Sequence, residues 1–262
     1  MDQFYDVFKF YAGQFANIPM FPVLQCAHYT IMCLKLRMEA GSLSFAYTHP
    51  MSCWVSSILT CFAGTIMANF LLGNALILPL LDMQQIAILT VIWYLVFFCP
   101  LDLFTKIFML KPFWIALLVL KEAHRAKNVL KGVEMASLAY PDAWLVMIAI
   151  GTAKGSDKIQ PKYLDTLYLY FSISTPVYLK FTVTKLAILG SILVIMVRKR
   201  MLDFSTPEVL LLVACVGSVL QVIMFLSNTS DPFTHLEKAV AAVLFREPTE
   251  KANTSDSKKK KE

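Results

Sequence analysis

The stretch LLVLKEAHRAKNVLKGVEM, residues Leu117–Met135, places seven charged or imidazole side chains in a region whose flanks are mostly apolar. On a helical wheel at 100° per residue, six of the seven fall on one side, and leucine, valine and alanine fill the other. Glu122 is the exception, because it lies toward the apolar face. The pattern predicts a helix with one polar and one apolar face.

Two interpretations of this helix are open. It could lie on a membrane surface with its lysines toward lipid headgroups, or it could span the membrane with its polar face lining water inside the protein. An ionised residue at mid-bilayer costs about 2.5–3.5 kcal/mol. Four cations facing lipid would therefore cost roughly 10 kcal/mol, so a spanning helix must turn them inward. Glu122 favours a span, because it could pair with a cation on another helix, Lys180 or most plausibly Lys185.

The composition indicates a membrane protein. The 262 residues are 57% hydrophobic and 16% charged, with a mean hydropathy of +0.61, whereas soluble domains carry about 25% charged residues. The net charge of +6 owes much to Lys258–Lys261, so a nucleic-acid surface is not indicated, and residues 246–262 are expected to form a disordered basic tail. The six cysteines form no CxxC pair and are expected to be buried, inert thiols.

Hydropathy predicts an all-α membrane protein with seven transmembrane helices. A span needs about 20 apolar residues, and polar or proline-marked breaks separate the candidates. The fifth is weak, because only Ala143–Ala153 is continuously apolar. The candidate spans are 18–38, 51–78, 86–104, 112–137, 142–157, 177–197 and 207–227.

Seven spans put the two termini on opposite sides of the membrane. With the C-terminus in the cytosol, fourteen Lys and Arg residues lie on the cytosolic side and four on the other. Without the C-terminal tail the comparison is seven against four. The positive-inside rule thus predicts a luminal segment 1–17 and a cytosolic C-terminus.

A faint internal repeat divides the spans into three plus three, with one additional C-terminal span. Gly64-Thr65 in the second span corresponds to Gly151-Thr152 in the fifth, and each pair is followed by another glycine, Gly73 and Gly155. In inverted-topology repeats, glycine-interrupted segments at matching positions indicate the transport pathway. We therefore predict that both helices kink or unwind near Gly64 and Gly151. Glycine is also common wherever membrane helices pack closely, and the sequence leaves both explanations open.

Catalytic motifs do not occur. The four histidines form no HExxH pair and no GxSxG sequence is present, so we expect no enzyme. A secondary transporter or a lipid-handling protein remains an alternative to a channel, because an inverted repeat suits each of them.

Three segments resemble the trimeric intracellular cation channels: WYLVFFCPLDLF at Trp93–Phe104, the Lys-Glu-x-x-Arg of residues 121–125, and VMIAIGTAKGS at 146–156. Shorter matches are PMFPV at Pro19–Val23, HP at His49–Pro50, LLG at Leu71–Gly73, and Thr184–Lys185. The resemblance covers most of residues 18–245, which would form the channel domain.

The resemblance implies seven spans with an inverted repeat of three and a homotrimer with one pore per subunit. Members conduct monovalent cations such as potassium across the endoplasmic or sarcoplasmic reticulum and offset charge movement during calcium release. In this sequence Ala123 replaces the valine of the family's Lys-Glu-Val motif, and Asn69 stands where many relatives carry aspartate. The expected pore or gating residues are Gly64, Thr65, Asn69, Gly73, Lys121, Glu122, Gly151, Thr152 and Lys185.

The resemblance also implies a bound lipid, phosphatidylinositol 4,5-bisphosphate, held by Lys121 and Arg125. On the wheel these two residues are about 40° apart and one turn along the axis, so both could reach one phosphate group. Such an anion would invert the field of a basic pathway. No metal cofactor is expected.

The C-terminal residues predict the location. Lys259 and Lys260 resemble a dilysine retrieval signal for the endoplasmic reticulum, although a basic tail on anionic lipid is the simpler alternative. The predicted topology leaves the glycosylation sequons at Asn228 and Asn253 unmodified.

Overall fold

The structure, a computed structural model, describes residues 2–156 and 182–227. Secondary structure in these ranges is entirely helical. A π-helical turn, Met20–Leu24, and two 3-10 turns, Leu78–Leu80 and Pro100–Asp102, connect some of the α-helices. The α-helices of the described ranges, in chain order, are α1 Asp2–Asn17, α2 Gln25–Met38, α3 Ser42–Thr48, α4 Pro50–Leu72, α5 Met83–Phe98, α6 Leu103–Met109, α7 Lys111–Ala139, α8 Trp144–Gly155, α9 Thr182–Arg198 and α10 Thr206–Ser227.

Several helices agree with the spans predicted from hydropathy. The predicted spans 112–137 and 207–227 correspond to α7 and α10 within two residues at each end. The predicted span 51–78 is too long, because α4 ends at Leu72. Gly73 follows in the left-handed conformation with φ of +73°, which glycine adopts without a Cβ penalty and which commonly ends a helix.

By length and composition, α4 and α10 are each able to cross a membrane. The α5–α6 pair adds a third crossing if it counts as one span. Helix α8 is apolar but has only 12 residues, in keeping with the weak fifth segment. Seven spans therefore stay a prediction, whereas the all-helical architecture with membrane-type helices is observed within residues 2–156 and 182–227.

The predicted span 86–104 is interrupted by a corner. Helix α5 ends at Phe98, and the axes of the two helical segments differ by 92° across the break. Pro100 cannot donate a backbone hydrogen bond, and Leu101 and Asp102 then take positive φ values of 59° and 57°. The predicted span 86–104 therefore includes the break, because hydropathy placed its end six residues beyond Phe98, where α5 ends.

Arg37, at the end of α2, stabilises this corner through hydrogen bonds. Its guanidinium donates to Asp102 Oδ1 at 2.7 Å, to Thr105 Oγ1 at 3.0 Å and to the Val96 carbonyl. The arginine side chain is 10% exposed and that of Asp102 is 47% exposed. One buried side chain therefore joins the end of α2, the last turns of α5 and the start of α6.

We expect Arg37→Met to destabilise the protein by about 2 kcal/mol. Hydrogen bonds to a charged group contribute about 1.5–3 kcal/mol, but solvent at the half-exposed Asp102 weakens the ion pair. Thermal unfolding of the purified protein in one detergent measures the loss. Arg198→Met is the control, because Arg198 is 43% exposed and 4.0 Å from Glu134. Equal melting temperatures for the two variants would contradict this function of Arg37.

A hydrogen bond joins helix α1 to the start of α10. The Glu208 carboxylate accepts the Ser205 backbone N–H at 2.8 Å, which is half of a capping box of the Ser-x-x-Glu type. The Tyr5 hydroxyl donates to the other oxygen of Glu208 at 3.2 Å, and this hydrogen bond raises the pKa of Tyr5 above its ordinary value. Residues 1–17, predicted only as a luminal segment, thus contain a helix docked on α10.

Helix α7 lies at the centre of the described residues. It contacts α2, α6, α8, α9 and α10. Its side chains enter all three apolar cores of the described residues: one with α2, α4 and α5, one with α8 and α9, and one with α10. Lys121, Arg125 and Lys127 on its polar face are buried. A helix on the membrane surface would expose these lysines to headgroups, so that interpretation is wrong and the polar face is turned into the protein.

The remaining predictions have mixed outcomes. Cys33, Cys53 and Cys61 are buried thiols as expected, whereas Cys215 is exposed because it lies on the outward face of α10. Other predictions concern residues outside the described ranges: the basic tail 246–262 with Lys259 and Lys260, the sequon residues Asn228 and Asn253, and Lys180.

Candidate functional site

The charged segment of α7 is almost completely enclosed. Lys121, Glu122, His124, Arg125 and Lys127 each have a relative exposure between 3% and 6%. Transferring isolated charges into such surroundings is costly, so buried charges are expected to have charged or polar partners.

Glu122 forms an ion pair with Arg125, one turn further along the same helix. The sequence predicted a cation from another helix, most plausibly Lys185, so the prediction missed this pair. The reason is geometric: residues three apart on a helix face each other, and the wheel's division into two faces concealed that contact. An additional pair with Lys185, which is half-buried on α9, stays a prediction.

The Glu122 carboxylate also packs against Gly217 of α10. A Cβ atom added to Gly217 would lie 2.9 Å from Glu122 Oε2, closer than real Cβ contacts. The absence of a side chain at Gly217 therefore makes room for the carboxylate between α7 and α10.

The two lysines of this segment reach in different directions. Lys121 Nζ lies 3.3 Å from the Met32 sulfur of α2. Lys127 Nζ donates to the carbonyls of Ala16, at 3.2 Å, and Ile18, and it lies 5.3 Å from the centre of the Phe15 ring. Lys127 thus binds the C-terminal end of α1, where a cation interacts favourably with the helix dipole.

A polar cavity of about 630 Å³ lies beside the charged segment, between α2, α4, α7 and α8. Several of its exposed lining residues lie where α4 ends and α2 and α5 begin, and we call this end the mouth of the cavity. Pro19, Leu78 and Asp82 at this mouth are exposed. Deeper in the cavity, the wall includes the buried side chains of His28 and His124.

A chain of amide, hydroxyl and carboxylate groups forms one wall of this cavity. Gln25 donates to the Tyr29 hydroxyl at 2.9 Å and also to Gln85 Oε1. Tyr29 donates to the same Gln85 oxygen at 3.1 Å, and the Gln85 amide donates to Asp82 Oδ2 at 2.6 Å. Oxygen acceptors of this kind can replace part of the water shell of a monovalent cation.

Lys131 of α7 and Lys154 of α8 also line the cavity. The cavity therefore presents two lysines beside one carboxylate, Asp82. A permeating cation would meet a mixed electrostatic field, favourable near Asp82 and unfavourable near the lysines.

The structure brings only part of the predicted pore set to this cavity. Gly64 and Thr65 line it. Asn69 is buried in α4, and Gly73 is the exposed cap residue of α4. The hydroxyl of Thr152 on α8 is buried and has no hydrogen-bond partner within the described ranges. In the described part of the chain, the predicted residues that do not line this cavity are Asn69, Gly73, Lys121, Glu122, Gly151, Thr152 and Lys185.

Sequence reasoning missed several lining residues. Gln25, His28 and Tyr29 lie within an apolar segment, and Gln85 lies at the start of another, so none forms a pattern of its own. His124 and Lys131 did carry a signal, because both belong to the polar face of the charged helix.

The repeated glycines serve close packing. A Cβ at Gly64 of α4 would lie 2.8 Å from the Ala153 carbonyl of α8, and one at Gly132 of α7 would lie 2.9 Å from Gly151 Cα. Helices α4 and α8 continue through Gly64 and Gly151 without interruption. Neither helix unwinds there, so that part of the prediction was wrong, whereas a kink at either glycine stays a prediction. Close helix packing accounts for both glycines.

Known proteins are similar to this chain in sequence and in fold. Residues 39–228 match the family model described as TRIC channel. A trimeric intracellular cation channel type B of Danio rerio is 32% identical over 251 residues, covering 93% of this chain and 87% of the relative.

Two solved structures superpose closely on the chain. A trimeric intracellular cation channel from C. elegans, solved in the absence of Ca²⁺, has a TM-score of 0.72 and 26% identity and covers 87% of this chain and 99% of its own. The second structure comes from work on the structural basis for activity of TRIC counter-ion channels in calcium release. It has a TM-score of 0.70 and 28% identity to this chain. The match covers 83% of this chain and 98% of that one. From the family match, the full-length relative and the shared fold, we conclude that this chain belongs to the trimeric intracellular cation channel family.

Proposed function

We propose that this chain is the subunit of a homotrimeric potassium channel of the endoplasmic or sarcoplasmic reticulum, supplying counter-ion current during calcium release. The observation that carries the proposal is the match along 93% of the chain to a type B trimeric intracellular cation channel. The structures solved for counter-ion channels support the same activity. The relatives are channels and not enzymes, which also favours transport over catalysis.

The pathway is proposed to run within one subunit, through seven spans with an inverted repeat. Helix contacts support such a repeat: α2–α4, α2–α5 and α4–α5 in the first three spans have counterparts in α7–α8, α7–α9 and α8–α9. The two halves meet through α2–α7 and α4–α8. The cavity lies at this junction, where the pathway of an inverted-repeat protein is expected.

The proposed orientation has a luminal N-terminus and a cytosolic C-terminus. The cavity mouth, beside the start of α2, would then face the lumen. A glycan on Asn228 or Asn253 would contradict this orientation.

Recording potassium current from the purified protein in a planar bilayer tests the channel proposal. We expect current in symmetrical KCl with no other solute. Potassium flux that required a co-substrate would instead favour a secondary transporter, and no flux at all would contradict the proposal.

We further propose that Lys121 and Arg125 hold a phosphatidylinositol 4,5-bisphosphate headgroup. Three buried cations, Lys121, Arg125 and Lys127, accompany one buried carboxylate, Glu122, on α7, so an anion would offset the excess positive charge. Both proposed ligands are buried, and neither lines the cavity in the described residues. Lipid binding would therefore require the helices around Lys121 to separate.

Lys121→Ala and Arg125→Ala should each weaken binding of this lipid roughly ten- to a hundredfold, because each loses a charge-assisted hydrogen bond of about 1.5–3 kcal/mol. Native mass spectrometry of the purified protein with added lipid measures the affinity. Lys121→Ala is the clearer variant, since Arg125→Ala also removes the partner of Glu122. Lys199→Ala, at an exposed lysine, is the matched control. Unchanged lipid affinity in both alanine variants would contradict the proposed site.

A further inference from the structure

Two buried histidines from different helices form a stacked pair. The His28 ring of α2 and the His124 ring of α7 have centroids 4.5 Å apart and planes inclined by 21°. His28 Nε2 is 3.1 Å from the Cys61 carbonyl of α4. The Asn128 side-chain nitrogen lies 3.3 Å and 3.4 Å from the two ring nitrogens of His124. The pair therefore joins three helices at the junction of the two halves.

The same two rings form part of the cavity wall. The cavity mouth is bordered by exposed residues, so water and protons can reach the pair along the cavity. Imidazole is the side chain whose ordinary pKa, about 6.5, lies within the physiological pH range. The pair thus combines a titratable group with access to solvent and with a position on the proposed ion pathway.

Ionisable groups of both signs lie around the pair. Asp82, before α5, is the carboxylate that lines the cavity, and Lys131 of α7 and Lys154 of α8 are its lysines. Tyr29 of α2 and Cys61 of α4 also line it. Within the described residues, the lining parts of the Met20–Leu24 and Leu78–Leu80 turns contribute no ionisable group. Within one turn before His124, α7 carries Lys121 and Glu122, and Arg125 follows His124 directly.

We propose that the His28–His124 pair is a proton-binding site in the cation pathway and that protonation of the pair reduces cation current. This inference rests on the proposed channel function. One ring of the stack can carry the proton, because an imidazolium cation is attracted to the face of the neighbouring aromatic ring. The added charge stands beside two lysines, so it makes the cavity potential more positive and lowers the local concentration of potassium.

The expected size of the effect follows from the charge. One unit charge at about 10 Å, in surroundings between protein and water, lowers the local concentration of a monovalent cation roughly two- to fivefold. A second proton on the pair would place like charges about 4.5 Å apart, so the two histidines should titrate in two separate steps. The second step would also push α2 away from α7.

Potassium current through the purified full-length protein in planar bilayers tests the site, with the pH changed from 7.5 to 5.5 on one face at a time. We expect a two- to fivefold decrease when the face that carries the cavity mouth is acidified, and a smaller change from the other face. His28→Phe and His124→Phe each keep an aromatic ring but remove one of the two imidazoles that can bind the proton, so each variant should show a smaller change in current between the two pH values than the wild type does. His49→Gln is the control and should respond as the wild type does, because His49 is exposed at the start of α4.

Wild-type current that is independent of pH, or an undiminished response in both phenylalanine variants, would overturn the proton site. Absence of any current at pH 7.5 would instead overturn the channel proposal, so the two failures are distinguishable. If the phenylalanine variants do not fold, NMR titration of ¹⁵N-histidine in the wild type replaces them. Two steps separated by about one pH unit or more support the pair, whereas independent, overlapping titrations of His28 and His124 overturn it.

Discussion

Replacing Glu122 by Gln is expected to destabilise the protein by about 3–5 kcal/mol, the usual cost of removing one partner from a buried ion pair. The Glu122 and Arg125 side chains are 3% and 5% exposed. The substitution preserves shape and hydrogen-bonding atoms but removes the negative charge next to the Arg125 guanidinium. The helices that enclose this segment, α2, α8 and α10, must then accommodate a net positive charge in an apolar interior.

Thermal unfolding of the purified protein in a single detergent measures this loss. Glu134→Gln is the matched control, because it makes the same chemical change on the same helix at a side chain that is 44% exposed. Exposed ion pairs contribute about 0–1 kcal/mol, so its melting temperature should stay close to that of the wild type. Equal shifts for the two variants would show that the buried pair does not stabilise α7.

Gly155→Ala is expected to destabilise the protein by about 1–3 kcal/mol through overpacking. A Cβ atom at Gly155 would overlap the Val129 side chain of α7 and would lie 3.3 Å from the Ala187 Cβ of α9. Both neighbours are themselves buried, so neither can move without displacing its own helix. Helix α8 would have to withdraw from the junction with α7 and α9.

Gly13→Ala is the control for this substitution. Gly13 lies within α1 and has no atom within 4 Å of an added Cβ, so alanine there should stabilise the helix by about 0.5–1 kcal/mol. The two Gly→Ala changes are thus expected to shift the melting temperature in opposite directions. A neutral or stabilising effect of Gly155→Ala would contradict the close packing of α8.

The membrane helices could be predicted from the sequence because hydropathy depends on local composition. The long apolar runs in α4 and α10 and the two-faced pattern of α7 each occupy one continuous stretch. For a helix that spans the membrane, the inward orientation of the α7 charges also followed from the cost of exposing them to lipid. Helix α1 was missed because its apolar residues alternate with polar ones in a short segment that no membrane-length window detects.

The site was less predictable, because its contacts join residues distant in sequence. Hydrogen bonds connect Gln25 and Tyr29 to Gln85, about 60 residues further along the chain. The stacked rings of His28 and His124 are 96 residues apart in sequence. The corner at Pro100 depends on Arg37, which lies 65 positions before Asp102. Glu122 is a different case, because its partner Arg125 is only three residues away on the same helix. The helical wheel placed the two residues on opposite faces, although the faces are adjacent, and so the sequence predicted a partner on another helix.

The corner after α5 also affects how the protein fits a lipid bilayer. A helix of 16 residues rises about 24 Å, and the chain then turns away from its axis. A typical hydrocarbon core is about 30 Å thick, whereas that of the endoplasmic reticulum is about 27 Å. Each ångström of hydrophobic mismatch costs a fraction of a kcal/mol, so this helix is better matched to a thin membrane than to the sterol-rich plasma membrane. The same mismatch makes lipids with shorter acyl chains the better host for reconstitution.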